Sequence, residues 1–316
     1  MNDREYRLQG LLDALSSRIV VLDGAMGSLI QASLKAADYG GAHLENCVDN
    51  VNRIRPDIIA SIHRSYLEAG ADIIETNSFN GHPISLAEFH LDDQAYSVNQ
   101  AAAAIARHVA GEFSARGRMR WVAGSMGPTT RAISVTRNIT FDRLMEGYYL
   151  QARALLDGGA DLLIVETCQD TRNVKAALLA IGRLRRERGH RIPVVVSGTI
   201  ESMGTMLAGQ TADAFYASVA HYDLLAIGLN CATGPEFMTD HLRTLHELAS
   251  TRISCYPNAG IPNEELKYSE TPESLVAQLE RFIDYGWLNI VGGCCGTMPE
   301  HTRAIARMAE GKRPRR

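Results

Sequence analysis

Two adjacent cysteines near the C-terminus are the residues of this chain best suited to chemistry. Cys294 and Cys295 lie in the segment 291–297, and glycines flank the pair on both sides. A disulfide between neighbouring cysteines closes a strained ring, whereas both thiolates can reach one metal ion. The glycines permit the tight turn that this arrangement needs. The segment follows a short apolar run, so the pair lies where a buried strand ends. Taken alone, the pair leaves a metal site and a redox pair open.

The elements that position this pair alternate regularly along the chain. Eight short runs rich in Val, Ile and Leu are typical of strands buried on both faces, and they cover residues 18–23, 71–77, 120–126, 160–167, 193–200, 224–231, 253–258 and 288–294. Stretches with helical periodicity lie between them, at 56–69, 95–113, 141–157, 171–188, 211–220, 235–249 and 272–285. This alternation predicts an α/β protein with a (β/α)8 TIM-barrel fold. A doubly wound open sheet is the alternative.

A third cysteine belongs to the same predicted face. Functional groups of such barrels gather at the C-terminal ends of the strands, and Cys231 ends the sixth predicted strand while the cysteine pair ends the eighth. Three thiolates favour zinc over magnesium or calcium. Three protein ligands with an open fourth position are typical of a catalytic zinc site. The remaining cysteines are expected in the core or in loops, at Cys47, Cys168 and Cys255.

No histidine is predicted as a metal ligand. His82 and His90 follow the second strand, in a loop that borders the predicted site, and His301 opens the last helix. Four histidines fall on predicted helices and are expected to be exposed or partly buried, namely His63, His108, His241 and His246.

Composition and charge exclude several classes of protein. The chain has 316 residues, 46% of them hydrophobic, and a formal net charge of −4. Its basic residues are thinly spread, which argues against a nucleic-acid partner. It has no apolar run long enough for a membrane span and no signal peptide at its polar N-terminus. We therefore predict a cytoplasmic protein with one barrel domain over residues 1–310, followed by a solvated basic tail or linker stub at 311–316.

A zinc ion held by three thiolates has two possible roles. It can ionise a bound water for hydrolysis, but three thiolates donate much electron density and make it a poor Lewis acid. It can instead ionise an incoming thiol, which is mostly protonated at neutral pH because its pKa is about 8.5. Asp23 and Glu166, at two other predicted strand ends, suit the ammonium group of an amino-acid thiol. The backbone N–H groups of residues 24–27 suit its carboxylate. Alternatively, Asp23 caps the following helix.

Three segments together resemble a known family. They are Asp23–Gly27, Gly228–Cys231 and Val291–Thr297, and they are similar to the zinc-dependent homocysteine S-methyltransferases, most of all to the homocysteine-binding module of cobalamin-dependent methionine synthase. The likeness extends over residues 11–308. The resemblance implies a TIM barrel with zinc on Cys231, Cys294 and Cys295. It also implies homocysteine contacts at Asp23, Gly24, Ala25, Ser125 and Glu166, with Asn258 as a fourth zinc ligand when substrate is absent.

The resemblance further implies a methyl donor and a partner. It favours methylcobalamin, carried by a separate module or protein, as the donor that converts homocysteine into methionine. Methionine synthases carry folate-binding and cobalamin-binding modules after this barrel, whereas the sequence given ends at Arg316. We therefore expect an excised or split module, or a chain that takes its methyl group from a separate partner. The alternatives are a small donor, betaine or S-methylmethionine, and a non-catalytic homocysteine-binding subunit of a larger assembly.

Overall fold

The strands form a closed ring of parallel neighbours. The computed structural model describes residues 3–263 and 268–316. Its strands are β1 (Val20–Val21), β2 (Ile73–Glu75), β3 (Trp121–Met126), β4 (Leu162–Cys168), β5 (Val194–Gly198), β6 (Ala226–Asn230), β7 (Arg252–Tyr256) and β8 (Ile290–Val291). Each strand pairs in parallel with the next, and β8 pairs with β1. A parallel bridge between Leu22 and Ile73 joins β1 to β2. The predicted TIM barrel is therefore confirmed, and the open sheet is excluded.

Helices pack around this ring, and Leu11, Ala14 and Leu15 of the first helix join the cluster that fills its interior. The helices are α1 (Asp3–Ser17), α2 (Met26–Ser33), α3 (Val51–Ile54), α4 (Pro56–Ala69), α5 (Pro83–Leu86), α6 (Ala95–Ser114), α7 (Phe141–Asp157), α8 (Thr171–Arg188), α9 (Ala212–Val219), α10 (Pro235–Leu248), α11 (Pro272–Asp284) and α12 (Pro299–Ala309). The sequence of α4 explains where this helix begins and ends. Pro56 occupies the first turn, where no N–H is needed, and Gly70 ends the helix at a φ of 112°. Within the described ranges, no helix has the length and hydropathy needed to cross a bilayer.

The strand period decides which side chains reach the barrel mouth. Buried apolar residues of one core cluster fill the interior, among them Val20, Ile73, Ala123, Ile164, Val195 and Ile290. Because successive side chains alternate across a strand, residues two positions further along also face the interior, nearer the C-terminal ends. In β2, β3 and β4 those residues are Glu75, Ser125 and Glu166. Along β2, β3 and β4, the side chains that face the interior thus change from apolar to polar within two residues, so the interior is apolar and the mouth is polar.

Two buried aspartates lie at the opposite end of the barrel, just before β2 and β4. Arginines surround both, because Asp72 pairs with Arg18, Arg118 and Arg120, and Asp161 pairs with Arg7 and Arg107. Each aspartate also accepts a backbone N–H bond from the neighbouring strand. Buried carboxylates need such partners, since an unpaired buried charge is costly. The N-terminal ends of the strands are therefore tied together by ion pairs.

One residue of the basic C-terminal segment, Arg315, is anchored to the barrel. The guanidinium of Arg315 donates hydrogen bonds to the backbone oxygens of His246, Ala249 and Thr251. Its backbone N–H bonds the Leu288 oxygen at 2.9 Å. A guanidinium has five donors in a fixed fork, and here it satisfies carbonyl groups in the last turn of α10 and just before β7. Because those carbonyls meet only in the folded barrel, the charge run alone could not reveal this contact.

Candidate functional site

The structure brings the three predicted cysteine ligands together. Cys231 follows β6, and Cys294 and Cys295 follow β8, and their Sγ atoms all lie within 4.8 Å of one another. The Sγ atoms of Cys231 and Cys295 are 3.9 Å apart. Sulfurs around a tetrahedral zinc, with Zn–S bonds of about 2.3 Å, are about 3.8 Å apart by simple geometry. The donor set and its spacing therefore fit one soft metal ion with a fourth position left for another ligand.

The turn that presents the cysteine pair is anchored by the loop after β7. The Cys294 N–H bonds the Pro257 oxygen at 2.8 Å, and the Cys295 N–H bonds the Asn258 side-chain oxygen at 3.1 Å. Gly296 completes the turn at a φ of +77°, a conformation that glycine adopts without strain. The amide oxygen of Asn258 is thus engaged by the backbone. Its role as a fourth ligand stays a prediction.

The other cysteines lie in the core, as predicted. Cys47, Cys168 and Cys255 are buried and outside the cluster. Burial raises the pKa of the Cys47 thiol to about 11, and the same cause raises the pKa of the other two well above the ordinary value. These thiols stay protonated at neutral pH, so they are poor metal ligands and weak nucleophiles.

One histidine was predicted wrongly. His63 was expected to be exposed or partly buried, but it is fully buried in α4 with neither ring nitrogen hydrogen-bonded. Burial lowers its pKa to about 3. His82 is also buried, and its Nδ1 accepts a hydrogen bond from the Ile84 N–H at the start of α5. A helix surface pattern cannot distinguish a buried histidine from a solvated one when polar neighbours flank it.

A cavity of about 230 Å³ opens beside the cysteine cluster. The strand ends and the start of α2 form its wall, which includes Gly24, Met26, Gly27, Ser28, Glu75, Phe79, Ser125, Glu166, Thr167, Cys231, Cys294 and Cys295. Among the residues that the structure describes, no lysine, arginine or histidine lines this wall. The cavity wall therefore carries two carboxyl groups and three thiols, and its described lining includes no cation.

Glu166 and Ser125 lie together on this wall, as predicted. The Ser125 hydroxyl donates a hydrogen bond to a Glu166 carboxylate oxygen. Burial raises the pKa of Glu166 to about 7, and the nearby Cys295 adds to the effect, although the Ser125 bond opposes it. A cation beside Glu166 would lower this pKa again. The group is thus suited to bind an ammonium ion.

Asp23 directly follows the end of the first strand, and one of its carboxylate oxygens is held by the backbone. It is buried, its Oδ2 accepts a hydrogen bond from the Glu75 N–H at 2.9 Å, and its Oδ1 has no partner among the described residues. Burial raises its pKa well above the ordinary value, and the charge of Glu166 contributes. The residue before α2 is Ala25, and no side chain caps that helix. The alternative that Asp23 is a helix cap is therefore wrong.

The turn before α2 also differs in detail from the expectation. The Ala25 N–H already donates to the Thr297 oxygen at 3.1 Å, so it is not free for a substrate carboxylate. The first N–H groups of α2 have no intrahelical partner, and Met26, Gly27 and Ser28 line the cavity. Gly24 brings the chain close to the C-terminal turn, because a Cβ there would lie 2.7 Å from Thr297 Oγ1.

Two features of the site were missed by the sequence reasoning. Glu75 lies in the predicted strand at 71–77 and was given no role, although it is an acid near a strand end like Asp23 and Glu166. Asn230 precedes a predicted ligand and holds Thr167, since its Oδ1 accepts the Thr167 N–H at 3.0 Å and its Nδ2 donates to Thr167 Oγ1 at 2.8 Å. Thr167 has a φ of +52°, which is unusual for a β-branched residue. This contact fixes the strand end that carries Glu166.

The fold and the site together define a TIM-barrel protein with a three-cysteine cluster at the C-terminal ends of its strands. The sequence model of the homocysteine S-methyltransferase family matches residues 20–309, and this chain belongs to that family. It is therefore a methyltransferase that acts on homocysteine.

Solved structures agree with this assignment. The homocysteine methyltransferase MmuM of Escherichia coli, in its metallated form, is 25% identical, with a TM-score of 0.76 over 95% of this chain and 99% of that one. Its oxidized form gives the same values. Its apo form is 24% identical, with a TM-score of 0.72 over 96% of this chain and 99% of that one, and supports the fold alone.

Proposed function

We propose that this chain catalyses zinc-dependent methyl transfer to the thiolate of homocysteine, which forms methionine. The observation that carries the proposal is the convergence of Cys231, Cys294 and Cys295 within 4.8 Å on the wall of an acidic cavity. A metallated form of the E. coli relative supports a metal at this cluster. When bound, zinc would supply the means to ionise the substrate thiol at neutral pH.

The protein's own residues would orient the amino acid. Glu166, steadied by Ser125, offers a carboxylate to the ammonium group. The N-terminus of α2 offers free N–H groups to the carboxylate, because helix N-termini attract anions. The substrate contacts that we propose are those expected from the sequence, Asp23, Gly24, Ala25, Ser125 and Glu166, with Gly24 and Ala25 acting through the turn that brings α2 to the cavity.

For the donor we propose methylcobalamin presented by a separate module or protein. A cavity of about 230 Å³ suits an amino acid and is far too small for a corrin ring, so such a carrier would present its methyl group at the barrel mouth. Betaine or S-methylmethionine is the alternative. Quaternary ammonium ligands are usually held by several aromatic rings, and Phe79 is the one aromatic residue on the described wall. This favours a donor other than betaine.

An assay with each donor tests this proposal. Purified zinc-loaded protein is incubated with homocysteine and methylcobalamin, betaine or S-methylmethionine, and methionine is measured by mass spectrometry. Protein stripped of metal with a chelator serves as the control for the slow uncatalysed reaction. We expect methionine from methylcobalamin only with zinc-loaded protein. Equal rates from stripped protein would contradict the role of zinc, and no methionine from any donor would support a non-catalytic subunit.

A further inference from the structure

Two polar side chains outside the predicted ligand set reach the sulfurs of the cysteine cluster. We propose that Asn230 and Tyr268 are positioning residues of the metal site, each donating a hydrogen bond to a different thiolate. Asn230 bonds Cys294, and Tyr268 bonds Cys295. The inference rests on the proposed function, because it assumes that a metal ion occupies the cluster. It adds the groups that set how strongly the thiolates donate electron density to that ion.

Asn230 contacts Cys294 through a side-chain amide that is fully buried at the end of β6. Its Nδ2 lies 3.8 Å from Cys294 Sγ, a distance that a hydrogen bond to a large sulfur atom permits. The Oδ1 atom and one N–H of this amide are bound to Thr167, so its orientation is fixed and the second N–H is left for the sulfur. A donor in this position favours the thiolate over the thiol.

Tyr268 reaches the cluster from the connection between β7 and α11. Its half-buried ring packs on the backbone of Gly296, where an added Cβ would lie 2.2 Å from the ring atom Cγ. Hydrogen bonds from the two other clustered thiols lower the pKa of Cys295, and a bond from the Tyr268 hydroxyl adds to this effect. Because a phenol keeps its proton at neutral pH, this hydroxyl is the donor and the thiolate accepts.

The charge of an occupied site explains what these donors would do. Three thiolates around a divalent ion leave one net negative charge, and a substrate thiolate in the fourth position raises it to two. The described wall of the cavity has no basic residue to offset this charge. Neutral hydrogen-bond donors disperse it and reduce the electron density that the protein thiolates give to the ion. They thereby favour the ionised form of the substrate sulfur, which must then supply more of that density.

Absorption spectroscopy of cobalt-substituted protein tests the proposal, because the sulfur-to-cobalt charge-transfer band reports the electron density on the thiolates. We expect Tyr268→Phe, which keeps the ring on Gly296, to shift this band to longer wavelength, since a sulfur without its donor gives up an electron more easily. Zinc binding, measured by competition with a chelator, should weaken about tenfold. Tyr6→Phe makes the same chemical change at an exposed position of α1 and should alter neither quantity.

Asn230→Asp tests the second donor. The new carboxylate can still bond Thr167 but turns an oxygen toward Cys294, so we expect the same shift and a larger loss of zinc affinity. If this variant does not fold, Asn230→Ala, which removes the amide without adding charge, replaces it. An unshifted band in either variant, even with weaker zinc binding, would overturn the proposal, because a purely structural role leaves the band in place. Wild-type protein without a sulfur-to-cobalt band would instead contradict the metal site of the proposed function.

Discussion

The Sγ atoms of Cys231 and Cys295 lie 3.9 Å apart, although the strands that carry the two residues are separated in the barrel wall by β7. The loop after β7 supplies the missing link, because Asn258 and Pro257 bind the backbone of the cysteine turn. The cluster therefore exists only when β6, β7 and β8 are all in place. Metal binding should report on the integrity of this part of the barrel.

Removal of one clustered thiol should abolish metal binding. We expect Cys294→Ala to purify with less than about one tenth of the zinc of the wild type and without detectable methyl transfer, because two thiolates do not complete the protein's share of a tetrahedral site. Zinc per chain is measured by plasma mass spectrometry. Cys255→Ala, in the core, should keep its full zinc content despite some loss of stability. Full zinc in Cys294→Ala would contradict the assigned ligand set.

Asn230 should matter for stability and for substrate binding alike. Asn230→Ala removes both hydrogen bonds that hold Thr167 at its positive φ. We expect a loss of about 2–3 kcal/mol in the free energy of unfolding, since buried partners are left unsatisfied, and weaker homocysteine binding because Glu166 is no longer fixed. Chemical denaturation and calorimetry measure the two effects. Asn138→Ala, at an exposed loop position, should change neither. Unaltered homocysteine affinity in a destabilised Asn230→Ala would limit the residue to a structural role.

His63 should make the protein sensitive to mild acid. Its pKa falls from 6.5 to about 3 on folding because it is buried, so between these values only the unfolded chain binds the proton. The free energy of unfolding should therefore decrease as the pH falls below 6.5, by up to about 1.4 kcal/mol per pH unit from this residue. His63→Leu should show a shallower decrease between pH 7 and pH 5, measured by urea unfolding. Parallel curves for the two proteins would argue against this cause. His190→Gln, at an exposed position, should retain the wild-type slope.

Arg315 should contribute to stability more than its place in a basic segment suggests. Arg315→Ala removes the bonds to the carbonyl groups of His246, Ala249 and Thr251, and we expect a loss of about 2–3 kcal/mol in the free energy of unfolding. Arg316→Ala changes the charge equally at an exposed position and should stay within about 0.5 kcal/mol of the wild type. Equal effects in the two variants would indicate that charge alone matters.

Much of the fold could be predicted because local patterns repeat. Each of the eight apolar runs overlaps an observed strand, although β4 and β7 extend one residue beyond their runs and β1 and β8 keep only two ladder residues each. Glycine and proline residues predicted helix ends that agree with the observed ones, as at α4. α1 was missed, since it precedes the first strand and is not part of the strand–helix alternation. Its exposed face also carries much charge, which weakens the helical stripe.

The sequence predicts where the site lies better than it predicts the contacts within the site. Strand ends identified the cysteines, Ser125 and Glu166, because parallel strands end at one face. The same rule could not show that one oxygen of Asp23 is bonded to the Glu75 N–H, or that Glu75 itself lines the cavity. Nor could it show that the Ala25 N–H is already bonded. Such details depend on side-chain direction and on loops from distant parts of the chain, which one-dimensional spacing does not contain.

The buried acidic residues at the two ends of the barrel differ in their charged partners. Asp72 and Asp161, below the strands, are neutralised by five arginines of the same chain, whereas no described basic residue lines the cavity that holds Glu75 and Glu166. Among the described lining residues, the mouth therefore has no counter-ion for these acids, and a cationic ligand would supply one. By thermodynamic linkage, a bound cation that relieves this repulsion must also stabilise the folded chain. A cationic substrate would thus neutralise the acids at the mouth, as the arginines neutralise the aspartates at the other end.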